Sequence, residues 1–214
     1  MYLTFNVISV VAVFIGYTIV DAQHCCLSKK FFGKGFIVKA TLKPGSSTPS
    51  MSQDSFEVDS DYDRKLHAVN GTKITETVSG EVLEVYQVIR DFNHMKKYYF
   101  NNIHCDVEHI VDEQMPDGCV PKSLTLIGTY TMGSRSQSMQ INGWSGKVLN
   151  ETWTYATTVN DCTTVSYTIL GTQPDGTKIS ETAQFADIVQ QRNSYDGVFD
   201  VPDHCKHGAS VVGK

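Results

Sequence analysis

Cysteine, histidine and carboxylate are the residue types in this chain whose spacing could do chemistry. Six cysteines, Cys25, Cys26, Cys105, Cys119, Cys162 and Cys205, are spread over 214 residues. No two stand as Cys-x-x-Cys, the spacing of a zinc knuckle or a dithiol redox pair, so cross-linking is the chemistry left to them. An even count accommodates three disulfides, and spacing alone does not choose the pairing. His104, Asp106 and Glu108 alternate, so on a strand they share one face that could hold a divalent ion. The same pattern also describes a solvated polar strand face, and His94, His109, His204 and His207 add no fixed ligand spacing. Asp59-Ser60-Asp61-Tyr62-Asp63 begins like a calcium loop. Arg64 then stands where the sharp-turn glycine belongs, and Asn70 where the bidentate glutamate belongs, so it is no EF-hand. We assign no metal ligands. There is no Gly-x-Ser-x-Gly nucleophile elbow, and His67, Glu76 and Glu81 form no recognisable acid–base pair. The chain reads as a non-enzyme without a cofactor, and Asp59–Asp63 as a solvated acidic turn.

The compartment follows from the leader. Val7 to Val20 is an apolar run of 14 residues, shorter than the roughly 20 that span a bilayer. Val20 and Ala22 are small residues suited to cleavage after Ala22, so residues 1–22 read as a signal peptide and the protein as secreted, with no transmembrane anchor. Export agrees with bridged cysteines and with two N-glycosylation sequons, at Asn70 and Asn150. The formal net charge is −5, and Lys29-Lys30 and Lys96-Lys97 are isolated pairs. A mildly acidic surface without a basic patch argues against nucleic-acid binding.

The elements that must position these residues are strands. Residues 98–130 are rich in aromatic and β-branched residues and are interrupted by a Pro-Asp-Gly turn at Pro116–Gly118. Phe31–Leu42, Phe56–Val69, Thr72–Val78, Glu81–Arg90, Lys97–Asn101, Cys105–Val111, Ser123–Met132, Ser138–Trp144, Thr152–Val159, Thr163–Leu170 and Lys178–Val189 all read as strands. The segment from Ala183 to Gln190 could instead close as a short helix. Lys43–Ser55 reads as a polar loop, Asn70-Gly71 as a hairpin turn and Gln173–Gly176 as another turn. In Ser123–Met132 the alternation places Leu124, Leu126, Gly128 and Tyr130 on one face. Many strands in series, without a long amphipathic helix, make an all-β antiparallel sandwich or open barrel. It forms a single domain over residues 23–206, with a disordered tail at 207–214. Two packed sheets bury a core, and splayed sheets line a pocket with the same residues; the pattern alone does not separate the two.

The order of several segments adds a resemblance. The run Lys96-Lys97-Tyr98-Tyr99-Phe100-Asn101-Asn102-Ile103-His104-Cys105, then Gly118-Cys119-Val120-Pro121, Asn142-Gly143-Trp144-Ser145-Gly146, Thr157 to Cys162, and the ending Phe199-Asp200-Val201-Pro202-Asp203-His204-Cys205 resemble ependymin-related proteins. The resemblance covers nearly all of the chain after the leader. It implies a secreted glycoprotein of two stacked antiparallel sheets with an apolar cleft, similar to bacterial lipoprotein carriers. It also implies binding of fatty acids or other lipids, association with calcium, and a homodimer. It implies a Cys105–Cys205 bridge, a bridge from Cys162 to Cys25 or Cys26, and pairing of the remaining N-terminal cysteine with Cys119. Leu126, Tyr130, Ile141 and Trp144, apolar residues on central strands, are the expected pocket lining. The alternative function is a matrix or adhesion protein with a filled core, acting through calcium and glycans.

Overall fold

A computed structural model describes residues 25–77, 80–101, 104–111, 115, 118–190 and 197–207. The leader, most of the tail, and Pro116 and Asp117 of the Pro-Asp-Gly turn lie outside the described residues. The fold is all-β: β1 (Lys30–Leu42), β2 (Ser50–Asp61), β3 (Leu66–Thr77), β4 (Gly80–Asp91), β5 (Lys96–Phe100), β6 (Cys105–His109), β7 (Leu124–Ser134), β8 (Gln137–Val148), β9 (Glu151–Thr158), β10 (Thr164–Thr172) and β11 (Lys178–Gln190), followed by one short helix, α1 (Asp203–His207). Hydrogen bonding is continuous and antiparallel in the order β6-β5-β4-β3-β2-β1-β11-β10-β9-β8-β7. The two expected leaves are therefore two halves of one sheet, joined where β1 pairs with β11. Nearly all neighbours are consecutive in sequence, as short hairpin connections dictate.

Registers assign every side chain to one of two faces, because directly opposed residues lie on the same side. One face carries Tyr99, Tyr86, Phe56, Phe185, Tyr167, Tyr155 and Trp144. Val58, Val88, Tyr86 and Ala183 on this face are buried. The opposite face leaves Leu83, Val85, Phe36 and Leu170 exposed. We call the first side the inner face.

Two irregular segments cover the halves on opposite faces. On the outer face of β3–β6, Phe199 and Cys205 pack against Ala68, Ile89 and Phe100. On the inner face of β7–β9, Cys25 and Val120 pack against Leu124 and Trp144. The cross-links fix both covers. Cys105 bonds to Cys205, Cys25 to Cys162 and Cys26 to Cys119.

Several local expectations change. Asn70-Gly71 is not a turn; it lies mid-strand in β3, paired with β2 and β4. The reversal falls earlier, at Tyr62–Lys65, inside what reads from sequence as one strand, Phe56–Val69. There the Asp61 carboxylate accepts the Arg64 backbone N–H at 3.0 Å, and Lys65 adopts a positive φ of 54°. An Asx-type carboxylate turn thus takes precedence over the Asn-Gly signal. The polar segment Lys43–Ser55 is loop only to residue 49, since β2 starts at Ser50. The segment Ala183–Gln190 is strand, with Ala183 fully buried between β1 and β10. In β7 a bulge between Leu126 and Gly128 shifts the register. It separates Leu124 and Leu126, on the inner face, from Gly128 and Tyr130, on the outer.

Candidate ligand-binding face

The inner face between β5 and β10 is a strip of rings set on glycines. Gly71 of β3 lies opposite both Phe56 and Tyr86, and a Cβ there would meet the Tyr86 ring at 2.6 Å. Gly35 of β1 lies between Phe56 and Phe185, and a Cβ there would meet the Phe56 ring at 2.3 Å. Without side chains at these positions, rings from flanking strands lie flat over the backbone. Phe56 and Phe185, two strands apart, bring their centroids to 6.1 Å edge-on. Tyr86 stacks on Tyr99 at 5.7 Å, and Tyr167 contacts Phe185, Tyr155 and Trp153 at about 6 Å. The product is a nearly continuous aromatic surface from Tyr99 to Trp153.

Three of the phenols along the strip donate to carboxylates, and the hydroxyl of Tyr155 pairs with that of Thr164. Tyr86 donates to Asp54 at 2.7 Å, Tyr99 to Glu84 at 2.5 Å and Tyr167 to Glu181 at 3.0 Å. Burial first, then the neighbouring carboxylates, push all three phenols above their ordinary value, so they remain protonated donors. Burial likewise raises the Asp54 carboxyl, outweighing the hydrogen bond from Tyr86 and the pull of Lys73. With those three hydroxyls engaged by acids, the half-buried rings of Phe56, Tyr99, Tyr167 and Phe185 are the apolar part of the strip that still reaches solvent.

At one end of the strip the character changes. A concavity of about 500 Å³ opens beside the β1–β2 loop, lined by Lys39, Lys43, Lys73 and hydroxyls such as Thr41, Ser52 and Thr75. Lys39 pairs with Glu181 at 3.3 Å, which ties this basic mouth to the Tyr167 end of the rings. Sequence reading named neither the mouth nor the ring strip. Their signal was alternation of aromatic residues with glycine across strands that neighbour one another only in the folded sheet.

The four expected lining residues do not form one pocket. Trp144 is on the inner face, buried beneath the Cys25–Cys162 end, where its indole N–H donates to Thr157 at 3.1 Å. Leu126 is opposite it, half-exposed near the sheet edge. Ile141 and Tyr130 are register partners on the outer face; Ile141 is fully buried, and Tyr130 lines a shallow depression of about 140 Å³. The bulge in β7 divides Leu126 from Tyr130, and Ile141 and Trp144, three residues apart on β8, face opposite sides by plain alternation.

Ion pairs engage members of the titratable clusters named from sequence. Asp106 and Glu108 do share a face of β6, opposite Tyr99 and Lys97, and Glu108 pairs with Lys97 at 2.8 Å. Among the described residues no three His, Cys, Asp or Glu side chains are grouped as a metal site. The buried Asp61 accepts the Arg64 Nε at 2.8 Å and pairs with Lys30 at 3.4 Å. Its burial opposes ionisation, and the hydrogen bonds from Arg64 and Lys30 outweigh that and hold the carboxyl low. His67, on the inner face opposite Arg90, is pulled down to about 4 by burial and by the Arg90 charge. Of the sequon residues, Asn150 stands exposed in the β8–β9 turn and Asn70 is half-buried on the outer face of β3.

The ependymin family model matches residues 82–205. The chain belongs to the ependymin family. The match spans β4 to the final cysteine and thus includes Tyr86, Tyr99, Trp144, Tyr155, Tyr167 and Phe185 of the inner face. No curated protein sequence matches the chain. Among solved structures, a LolA superfamily protein from Nitrosomonas europaea aligns with TM-score 0.37 and 8% identity, over 83% of this chain and 93% of that one. A DUF1329 family protein from Desulfovibrio piger aligns with TM-score 0.29 and 6% identity, over 81% and 90%. MucB, solved in complex with MucA, aligns with TM-score 0.16 and 10% identity, over 81% and 96%. At these scores the likenesses carry no argument about ligand.

Proposed function

We propose that this ependymin family member is a secreted, non-enzymatic glycoprotein that binds a fatty acid or another lipid on the inner face of its sheet. The supporting observation is the strip of rings from Tyr99 to Trp153, in which the hydroxyls of Tyr86, Tyr99 and Tyr167 are bound by acids and that of Tyr155 by Thr164, while Phe56, Tyr99, Tyr167 and Phe185 stay partly exposed. Burial of an acyl chain against such a surface is favourable by about 25 cal/mol per Å². The basic mouth around Lys39, Lys43 and Lys73 suits the polar end of a fatty acid. Glycans at Asn150 and Asn70, association with calcium and a homodimeric state belong to the same reading. Calcium is checked by calorimetric titration of the chelator-treated protein.

The test is displacement of a fluorescent fatty acid from the purified protein, with native mass spectrometry of what co-purifies. Binding that is lost on Phe56→Asp and weakened on Lys39→Glu/Lys73→Glu is expected. Failure of the wild type to bind any apolar probe, with no lipid co-purifying, overturns the reading.

A further inference from the structure

The outer face of β1–β4 is closed on one side of Asn70 and open on the other. On one side, Ala68 and its neighbours Ile89 and Phe100 lie beneath Phe199 and Cys205. On the other, two registered rows cross the strands: Phe36, Ser55, Thr72 and Val85, then Val38, Gln53, Ile74 and Leu83. Leu83 is 66% exposed, Val85 62% and Phe36 41%, and Val38 and Ile74 between them are half-buried. A contiguous apolar patch open to solvent calls for a partner. Asn70 stands at its border, in the sequon Asn70-Gly71-Thr72. Alternation turns Asn70 and Thr72 outward, while Gly71 faces inward, where the Tyr86 ring takes the space of its missing side chain.

We propose that the partner is the protein's own sugar: an N-linked glycan on Asn70 folds back over the outer face and covers Val85, Leu83 and Phe36. Asn70 pairs with Gln87, so Val85 is its diagonal neighbour, at about 7–8 Å between Cα atoms. The first sugar reaches it. Phe36 is two strands across and one row on, and Leu83 one strand across and two rows on, so they meet the sugars that follow. A pyranose ring has an apolar C–H face and a rim of hydroxyls. The patch matches both, because the exposed Ser55, Gln53 and Gln87 place a hydroxyl and two amides among the apolar side chains.

Attachment selects the glycan over a separate molecule. A cover tethered one row from the patch binds at high effective concentration and loses little freedom in doing so. A branched sugar rooted at the border also stands in the way of any flat protein surface that approaches β1–β4. The two faces of the sheet are then divided in use: the glycan closes the outer patch, and the inner strip of rings is left open to ligand. The inference rests on the reading of Asn70 as glycosylated and is independent of the lipid reading.

Peptide mass spectrometry of the exported protein reads occupancy at Asn70, through the aspartate that amidase removal of a glycan leaves behind. Hydroxyl-radical footprinting then reads side-chain exposure in three folded forms: the protein with high-mannose glycans, the same protein trimmed by endoglycosidase to the first sugar, and Asn70→Gln. If Asn70→Gln does not fold, amidase treatment of the folded wild type supplies the third form. Leu83, Val85 and Phe36 should oxidise several-fold more slowly in the first form than in the third. In the trimmed form Val85 should stay slow while Leu83 and Phe36 speed up. Met139, exposed on β8, is the internal control and should not change. An unoccupied Asn70 overturns the proposal together with the glycosylation reading at that site. An occupied Asn70 with Leu83 and Val85 oxidised as fast as in Asn70→Gln overturns the proposal alone. Protection that follows protein concentration instead of the glycan gives the patch to a second copy and overturns it as well.

Discussion

Replacing Cys105 and Cys205 together by alanine should lower the unfolding free energy by about 4–5 kcal/mol. The bridge closes a loop with a sequence separation of 100, and the chain-entropy relation assigns roughly 4.7 kcal/mol to a loop of that length. Loop length does not single this bridge out. Separations of 137 and 93 for the other two change the same logarithm by only about 0.3 kcal/mol or less. Location does. Cys205 is buried with Phe199 against Ala68, Ile89 and Phe100, so the bond ties the chain's last segment to the outer face of β3–β6. Alanine is chosen because serine would leave a hydroxyl in that buried site. Urea unfolding followed by the fluorescence of Trp144 and Trp153 is the assay. Both indoles are in the opposite half, on β8 and β9, so they report the sheet as a whole. With a urea slope of about 2–3 kcal/mol/M, the midpoint should fall by roughly 2 M. A shift below about 0.4 M, with the C-terminal segment alone freed to proteolysis, would refute the argument. The bridge would then pin a local flap and not constrain the unfolded chain.

Gly71→Ala should cost about 1–3 kcal/mol, although alanine usually suits a strand better than glycine, because the new methyl strikes the buried Tyr86 ring; thermal unfolding that shows stabilisation would contradict the ring-over-glycine account, and Tyr86→Ala in the same chain should remove most of the cost. Stability should fall as pH drops from about 6.5 toward 4. His67 titrates near 4 when folded and near 6.5 when unfolded, so within that window the unfolded chain binds more protons. His67→Gln should flatten that slope in urea midpoints taken across the window. The lowered carboxyls of Asp61 and Asp91 act in the same direction only below the ordinary aspartate value of 3.8, whereas the raised Asp54 acts in the opposite sense just above it. Glu181→Gln should loosen Lys39 at the basic mouth and change the affinity for fatty acids more than for uncharged apolar probes; equal effects on both, read by probe displacement, would separate the mouth from ligand binding.

The sequence by itself determined the kind of polymer this is. Alternating β-branched and aromatic residues, as in Thr152–Val159 and Thr163–Leu170, can bury one face only as strands, so β9 and β10 were legible, as was the turn at Gln173–Gly176. The cysteine count fixed cross-linking as the chemistry, and the ordered segments from Lys96 to Cys205 carried the family. What the tertiary structure decided is which residues meet. Asn70-Gly71 is a turn signal in isolation, yet Gly71 is held flat because the Tyr86 ring, fifteen positions on, needs the space above it. Leu126 and Tyr130 share a face under strict alternation, and a single bulge sends them to opposite sides. Alternation along a strand is a local property that the chain carries with it. Opposition across strands depends on register, and register is set by turns and bulges whose outcome rests on contacts between residues far apart in sequence.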